Sequence, residues 1–189
     1  MSSWRGLALA AVAIAAAVLV FLLLRSPGTE PQRDEDFPPE TMAAPPAPQP
    51  AGEVRVYFSR GDTSASVTRP VSGEPGPEAA LRALLAGPTD AERAAGVSSW
   101  FSAETASLLN SFAISPDSIA HVDFGDLAAA IPSASSSAGS EVLLRELNST
   151  LFRYPDVKAI EYTVNGSCEA FWNWLQYDCE IVTRVNRER

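Results

Sequence analysis

Residues 140–164 read SEVLLRELNSTLFRYPDVKAIEYTV, and the change of period inside this stretch decides the fold. Leu143, Leu144, Leu147 and Leu151 recur at three- and four-residue spacing, the apolar stripe of an amphipathic helix. Ser140 is suited to cap that helix, Arg153 suits its negative end, and Pro155 cannot continue it. The period then becomes two: Ile160, Tyr162 and Val164 share one face, with Glu161 and Thr163 on the other. A helix that runs through a proline turn into a half-buried strand predicts a layered α+β domain.

Working outward, Asn165-Gly166 turns the chain, a segment bounded by Cys168 and Cys179 follows, and EIVTRV supplies a last short strand. Residues 167–185 are expected to form a disulfide-bonded hairpin. Upstream, Ile131 to Gly139 reads as a low-complexity loop. Before it, IAHVDF places Ala120, Val122 and Phe124 on one face, with His121 and Asp123 on the other. The turn Ser115-Pro116-Asp117-Ser118 joins that strand to one with Leu108, Phe112 and Ile114 on its inner face, predicting an antiparallel hairpin. In PEAALRALLAGPT, Pro77 suits a first helical position, Ala80, Leu81, Leu84 and Leu85 share a face, and Gly87-Pro88 stops the helix. Trp100 and Phe101 are expected to pin the irregular stretch that follows onto the core. Val54, Val56 and Phe58 alternate along a first strand, and Gly61-Asp62 leads to a second near 66–71. The order predicts a mixed sheet with two amphipathic helices packed on one face, in a domain spanning 53–189.

Ahead of the domain lies GLALAAVAIAAAVLVFLLL, Gly6 to Leu24, between Arg5 and Arg25. As a helix it spans roughly 28 Å, close to the ~30 Å hydrocarbon core of a bilayer. Arg5 precedes the run and Glu30, Asp34, Glu35 and Asp36 follow it, so the expected topology is a single pass with a cytoplasmic N-terminus and an extracytoplasmic domain. A cleaved signal peptide is the competing reading. The uncleaved anchor over residues 1–25 is favoured because Leu22, Leu23, Leu24 and Arg25 stand where small residues should mark a cleavage site. Residues 26–52 hold eight of the fifteen prolines and read as a disordered tether.

A net charge of −9 argues against nucleic acid as a partner, which calls for a basic surface. In an exported domain Cys168 and Cys179 are expected to form a disulfide. Two thiols and the single histidine make a structural zinc site a poor alternative, so no metal is expected. Nor does any Gly-rich phosphate loop support a nucleotide cofactor.

ALRALLAGPTDAE (80–92), HVDF (121–124) and STLFRYPDVKAIEYTVNG (149–166), in this order, resemble the GerMN family of sporulation, germination and envelope proteins. The likeness runs over about 54–166. It implies a compact α/β interaction module without known chemistry. Leu84, Leu85, Gly87, Pro88, Thr89, Val122, Asp123, Phe124 and Pro155 fall on the family's structural motifs. SSWFSAETAS (98–107) and CEAFWNWLQYDC (168–179) depart from its usual pattern.

His121 and Asp123 lie two apart on one strand face, so a histidine–carboxylate pair is geometrically conceivable, but no serine sits in a nucleophile-elbow setting and catalysis is not expected. Phe171, Trp172, Trp174 and Tyr177 crowd the cysteine-bounded loop, either as interface anchors or as core filling, with Phe171, Trp174 and Leu175 inside and Trp172 partly exposed. The expected function is a non-catalytic module binding an envelope protein or itself, with the alternative of peptidoglycan binding through that loop.

Overall fold

The computed structural model describes residues 52–186. The expected anchor and almost all of the tether lie outside the described residues, among which no helix is long and apolar enough to cross a membrane. Strand β1 (Gly52–Arg60) buries Val54, Val56 and Phe58 and pairs antiparallel with β2 (Thr63–Val71) across the two-residue turn Gly61-Asp62. Helix α1 (Pro77–Leu85) begins at its proline and buries Ala80, Leu81, Leu84 and Leu85 completely.

The chain leaves α1 through a tight knot. Gly87 has φ +72°, and a Cβ there would lie 2.2 Å from the carbonyl oxygen of Phe101. Only glycine allows the returning chain so close. The Gly87 carbonyl accepts a 3.0 Å bond from Arg69 Nη2 of β2, and Arg69 also pairs with Glu92 in helix α2 (Asp90–Ala94). Thr89 caps α2: its Oγ1 accepts from Glu92 N–H at 3.3 Å while Glu92 Oε2 accepts from Thr89 N–H at 2.7 Å. Burial alone would raise the Glu92 pKa, but the bonds from Arg69 and Thr89 outweigh it and hold the carboxyl below its usual value. The connection that follows is pinned as expected by Phe101, which is 1% exposed, with Trp100 half-buried. Thr105, fully buried, donates to the Leu85 carbonyl at 2.6 Å.

Strands β3 (Leu109–Ile114) and β4 (Ile119–Phe124) form the expected hairpin. A register shift between Leu109 and Ser111 changes the phase of β3. Leu109 therefore enters the core opposite Phe124, while Leu108 and Phe112 are half-buried and Ile114 is 37% exposed. The expected loop at 131–139 is instead mostly helical. Helix α3 (Leu127–Ala130) and a 3₁₀ turn (Pro132–Ser135) lead into helix α4 (Ser137–Leu151). Ser136, rather than Ser140, caps α4 by accepting from Gly139 N–H at 3.2 Å, and Ser140 is buried inside the helix. The sequence signal failed because several serines in a row offer the same capping chemistry.

Strand β5 (Ala159–Val164) runs parallel to β4 and buries Ile160, Tyr162 and Val164, as the period predicts. The turn Asn165-Gly166, both at positive φ, leads to helix α5 (Cys168–Trp174), and β6 (Ile181–Thr183) returns antiparallel to β5. The expected 167–185 hairpin is thus a helix and a short strand. Ser167 caps α5 through Ala170 N–H at 3.1 Å, and helical winding puts Phe171, Trp172 and Leu175 into the core.

The protein is α+β with several helices, but its strands form two sheets rather than one: a mixed four-stranded sheet ordered β3-β4-β5-β6, and the separate β1-β2 hairpin. The free side of β1 is already occupied. Tyr57 N–H donates to Thr150 Oγ1 of α4 at 3.1 Å, and Ser59 pairs with Ser98. Helices α1 and α4 pack on each other and on β1, and α5 packs on β5. The opposite face of the four-stranded sheet carries His121, Asp123, Glu161 and Ile181, of which His121 and Ile181 are exposed. Gly87→Ala is expected to lower unfolding stability by at least about 2 kcal/mol, combining positive-φ strain with overpacking against Phe101. An unchanged urea midpoint would show that the close approach is not required.

Candidate functional site

The aromatic loop is a core element. Phe171 and Trp172 are 0% and 1% exposed, so the expectation that Trp172 is partly exposed is corrected, and neither residue offers surface to a partner. Phe171 stacks on Tyr162 with centroids 5.0 Å apart and on Phe124 at 6.0 Å, and meets Trp172 edge-on at 5.4 Å. Trp174 and Tyr177 are half-buried, edge-on to Phe171 and Trp172 respectively. Cys168 and Cys179 are bonded as expected, their Cα atoms 5.6 Å apart. Closing a loop of this length stabilises by slightly under ~3 kcal/mol in the chain-entropy model. Replacing both cysteines by alanine is expected to lower stability by that order, and near-ultraviolet circular dichroism should report loosened tryptophan packing; an unaltered spectrum and midpoint would contradict it.

His121 and Asp123 serve different partners. His121 Nδ1 lies 2.6 Å from Glu161 Oε2 on the open sheet face. Asp123 Oδ1 accepts from Thr163 Oγ1 at 2.6 Å and from Gly166 N–H at 2.7 Å, and Oδ2 accepts from Asn110 Nδ2 at 3.0 Å. Burial favours the neutral acid, but these three donors prevail and hold Asp123 below the ordinary carboxylate value. The family-motif aspartate therefore ties β4 to β5, to the bulge of β3 and to the Asn165-Gly166 turn. Val122 and Phe124 beside it are core residues, as are Leu84 and Leu85; Pro155 follows the end of α4.

Sequence reasoning missed a buried carboxyl. Glu146 of α4 is 1% exposed and accepts from Ser59 Oγ at 2.8 Å and Ser99 Oγ at 2.5 Å. Burial raises its pKa to about 7, partly offset by the two serine bonds and by Arg145. Its place beside Leu147 and Leu143 in a leucine-rich helix left no periodic signal; only an acidic residue adjoining the apolar stripe hinted at it.

A surface groove with a cavity volume of about 1270 Å³ was also missed. One face of α4 forms its floor: Glu141, Arg145, Asn148, Ser149, Phe152 and Arg153 recur at helical spacing beside the leucine stripe. Tyr57 and Ser64 come from the β1-β2 hairpin, Tyr177 from the loop after α5, and Lys158 and Arg184 from just before β5 and just after β6, at the end of the four-stranded sheet where Ala159 pairs with Thr183. Four cations thus line a groove with one carboxylate, in a chain of net charge −9. Arg184 is committed to structure: Nη1 donates to the Phe152 carbonyl at 2.8 Å and Nη2 to those of Tyr154 and Val157 at 3.0 and 2.9 Å, with the guanidinium 5.1 Å from the Phe152 ring centre. Arg145 Nη2 reaches Ser59 Oγ at 3.5 Å, and its Nε is buried without an acceptor. Arg153 and Lys158 are exposed, and neither is in an ion pair among the described residues.

The family model described as Germane, sporulation and spore germination, matches residues 55–168, well over half of the chain. The chain belongs to this GerMN family. Among solved structures it is similar to the tandem GerMN domains of the sporulation protein GerM from Bacillus subtilis, at 22% identity and a TM-score of 0.46 over 69% of this chain. It spans 44% of that tandem chain. The first GerMN domain of the same protein shows 13% identity and a TM-score of 0.46, over 61% of this chain and 84% of that one. No curated protein matches.

The folded-state pKa of Glu146, about 7, lies above its ordinary 4.5, so the native state binds the extra proton between those values. The associated stability is fully present below about pH 4.5 and is lost as pH rises through about 7, a difference of roughly 3 kcal/mol at ~1.4 kcal/mol per unit. Glu146→Gln is expected to flatten this part of the stability profile between pH 5 and pH 8. An identical slope in wild type and variant, by urea unfolding, would refute the assignment.

Proposed function

We propose that this chain is a non-catalytic interaction module of the bacterial envelope, held outside the membrane by residues 6–24 and joining a second protein or a second copy of itself. The observation that supports it best is β3. This strand is an edge of the four-stranded sheet, and its residues LNSFAI contain no charge and no proline. Natural edges are commonly blunted by charge, by proline, by a bulge or by shortness. The bulge at Asn110 disturbs only one end, and Ser111 to Ile114 keep regular pairing with β4. An extended segment adding to this side would gain main-chain hydrogen bonds and contact with Ile114. At the other edge, β6 has only three residues, too few for comparable pairing.

Family membership in sporulation and spore germination supports an assembly role over a chemical one. A glycan platform is less well supported, because two of its four aromatics, Phe171 and Trp172, are in the core. In the producing cell, a photo-crosslinking amino acid at Ala113, an exposed position of β3, is expected to capture a partner or a second copy. Ser111→Lys together with Ala113→Lys should diminish an association detected at a second surface position by at least tenfold. Recovery of uncrosslinked monomer alone would remove β3 from the account.

A further inference from the structure

We infer that the groove on α4 is a second binding surface, independent of β3, and that it takes an extended acidic segment of a partner polypeptide. The charge pattern points to an anion. Arg145, Arg153, Lys158 and Arg184 face Glu141 alone, although the chain as a whole carries nine excess negative charges. A cationic groove on an acidic protein focuses attraction at one place. Structural duties account for part of this charge: Arg184 caps the carbonyls after α4, and Arg145 stands beside the Glu146 network. Nothing comparable engages Arg153 and Lys158, which project from the end of α4 and the start of the β5 turn without ion-pair partners among the described residues. Two exposed cations with no ion-pair partner among the described residues, on the same groove as Arg145 and Arg184, form a site that an added carboxylate would complete.

Size and lining favour a chain over a compact ligand. The cavity volume of about 1270 Å³ exceeds the roughly 300–1,000 Å³ usual for small-molecule pockets. Tyr57 and Tyr177, both half-buried, give it aromatic walls between the charges, so acidic and apolar side chains of one extended segment would each find a matching surface. A densely charged phosphate polymer is the weaker fit, because most of it would lie outside the groove against a protein of net charge −9. A peptide with a few carboxylates avoids that repulsion.

The test uses the detergent-solubilised full chain and a fluorescein-labelled decapeptide of alternating glutamate and tyrosine, followed by fluorescence anisotropy. Binding is expected at low ionic strength, weakening as salt is raised, while the alternating lysine–tyrosine peptide should not bind. Arg153→Ala combined with Lys158→Ala should weaken binding at least tenfold with an unchanged unfolding midpoint. Arg82→Glu, on the exposed side of α1 and of equal charge change, should leave it within about twofold. No binding of the acidic peptide, equal binding by the double variant, or inorganic polyphosphate bound more tightly through the same two residues would each overturn the proposal. Because Arg153 and Lys158 lie outside β3, failure here leaves the edge-strand reading standing, and the reverse also holds.

Discussion

The lack of space for a side chain at position 87 organises much of this domain. With Gly87 pressed against the Phe101 backbone, α1 must end there and the following chain must double back across its end. That return carries Phe101 into the core, brings Thr105 under the last carbonyls of α1, and lays Ser98 alongside Ser59 of β1. Ser99 then stands where it can meet Glu146 of α4. One steric condition in a three-residue motif thereby couples α1, β1 and α4. The Arg69–Glu92 pair reinforces it from outside, since Arg69 holds both the Gly87 carbonyl and the helix that begins three residues after it.

Helix α4 distributes the consequences. Its leucines fill the core, Asn148 accepts from the buried Tyr162 hydroxyl at 2.9 Å, and Thr150 closes the side of β1. These contacts explain both the separate β1-β2 hairpin and the groove. A helix that satisfies the backbone of β1 directly keeps the hairpin from joining the larger sheet, and the face of α4 left between them becomes the groove floor. The aromatic residues of α5 complete the core from the other end, where Phe171 stacks on Tyr162 and Phe124.

What could be read from the sequence followed its periodicity. The leucine stripe of α4 and the alternation in β1, β4 and β5 each specify a buried face through burial of apolar surface, and each face is found buried. The failures have local causes. A one-residue bulge reverses the phase of β3 at Leu109, and no composition signal marks it. The serine run around 135–140 offers interchangeable caps, so the start of α4 depends on its fit against the 3₁₀ turn. In the 168–179 segment a disulfide and dense aromatics read as a hairpin, whereas the Ser167 cap and the spacing of Phe171, Trp172 and Leu175 favour a helix. The groove was illegible because its cations come from α4, from the turn before β5 and from the end of β6, and only the tertiary fold collects them.

The two candidate surfaces differ in the physics they would use, and this bears on how such a module could discriminate between partners. Strand addition at β3 draws on main-chain hydrogen bonds, which are nearly indifferent to sequence, with Ile114 and Phe112 supplying limited selection. The groove supplies charge and aromatic shape, which steer encounter and reject the wrong sign but contribute less at high salt. Neither alone combines affinity with selectivity. A partner that engaged both would obtain the first from backbone pairing and the second from its acidic segment, provided the linking chain spans the distance between them. On that view the overall acidity of the chain has a role beyond solubility: it sets off the basic groove as a region of opposite sign toward which an acidic segment would be drawn.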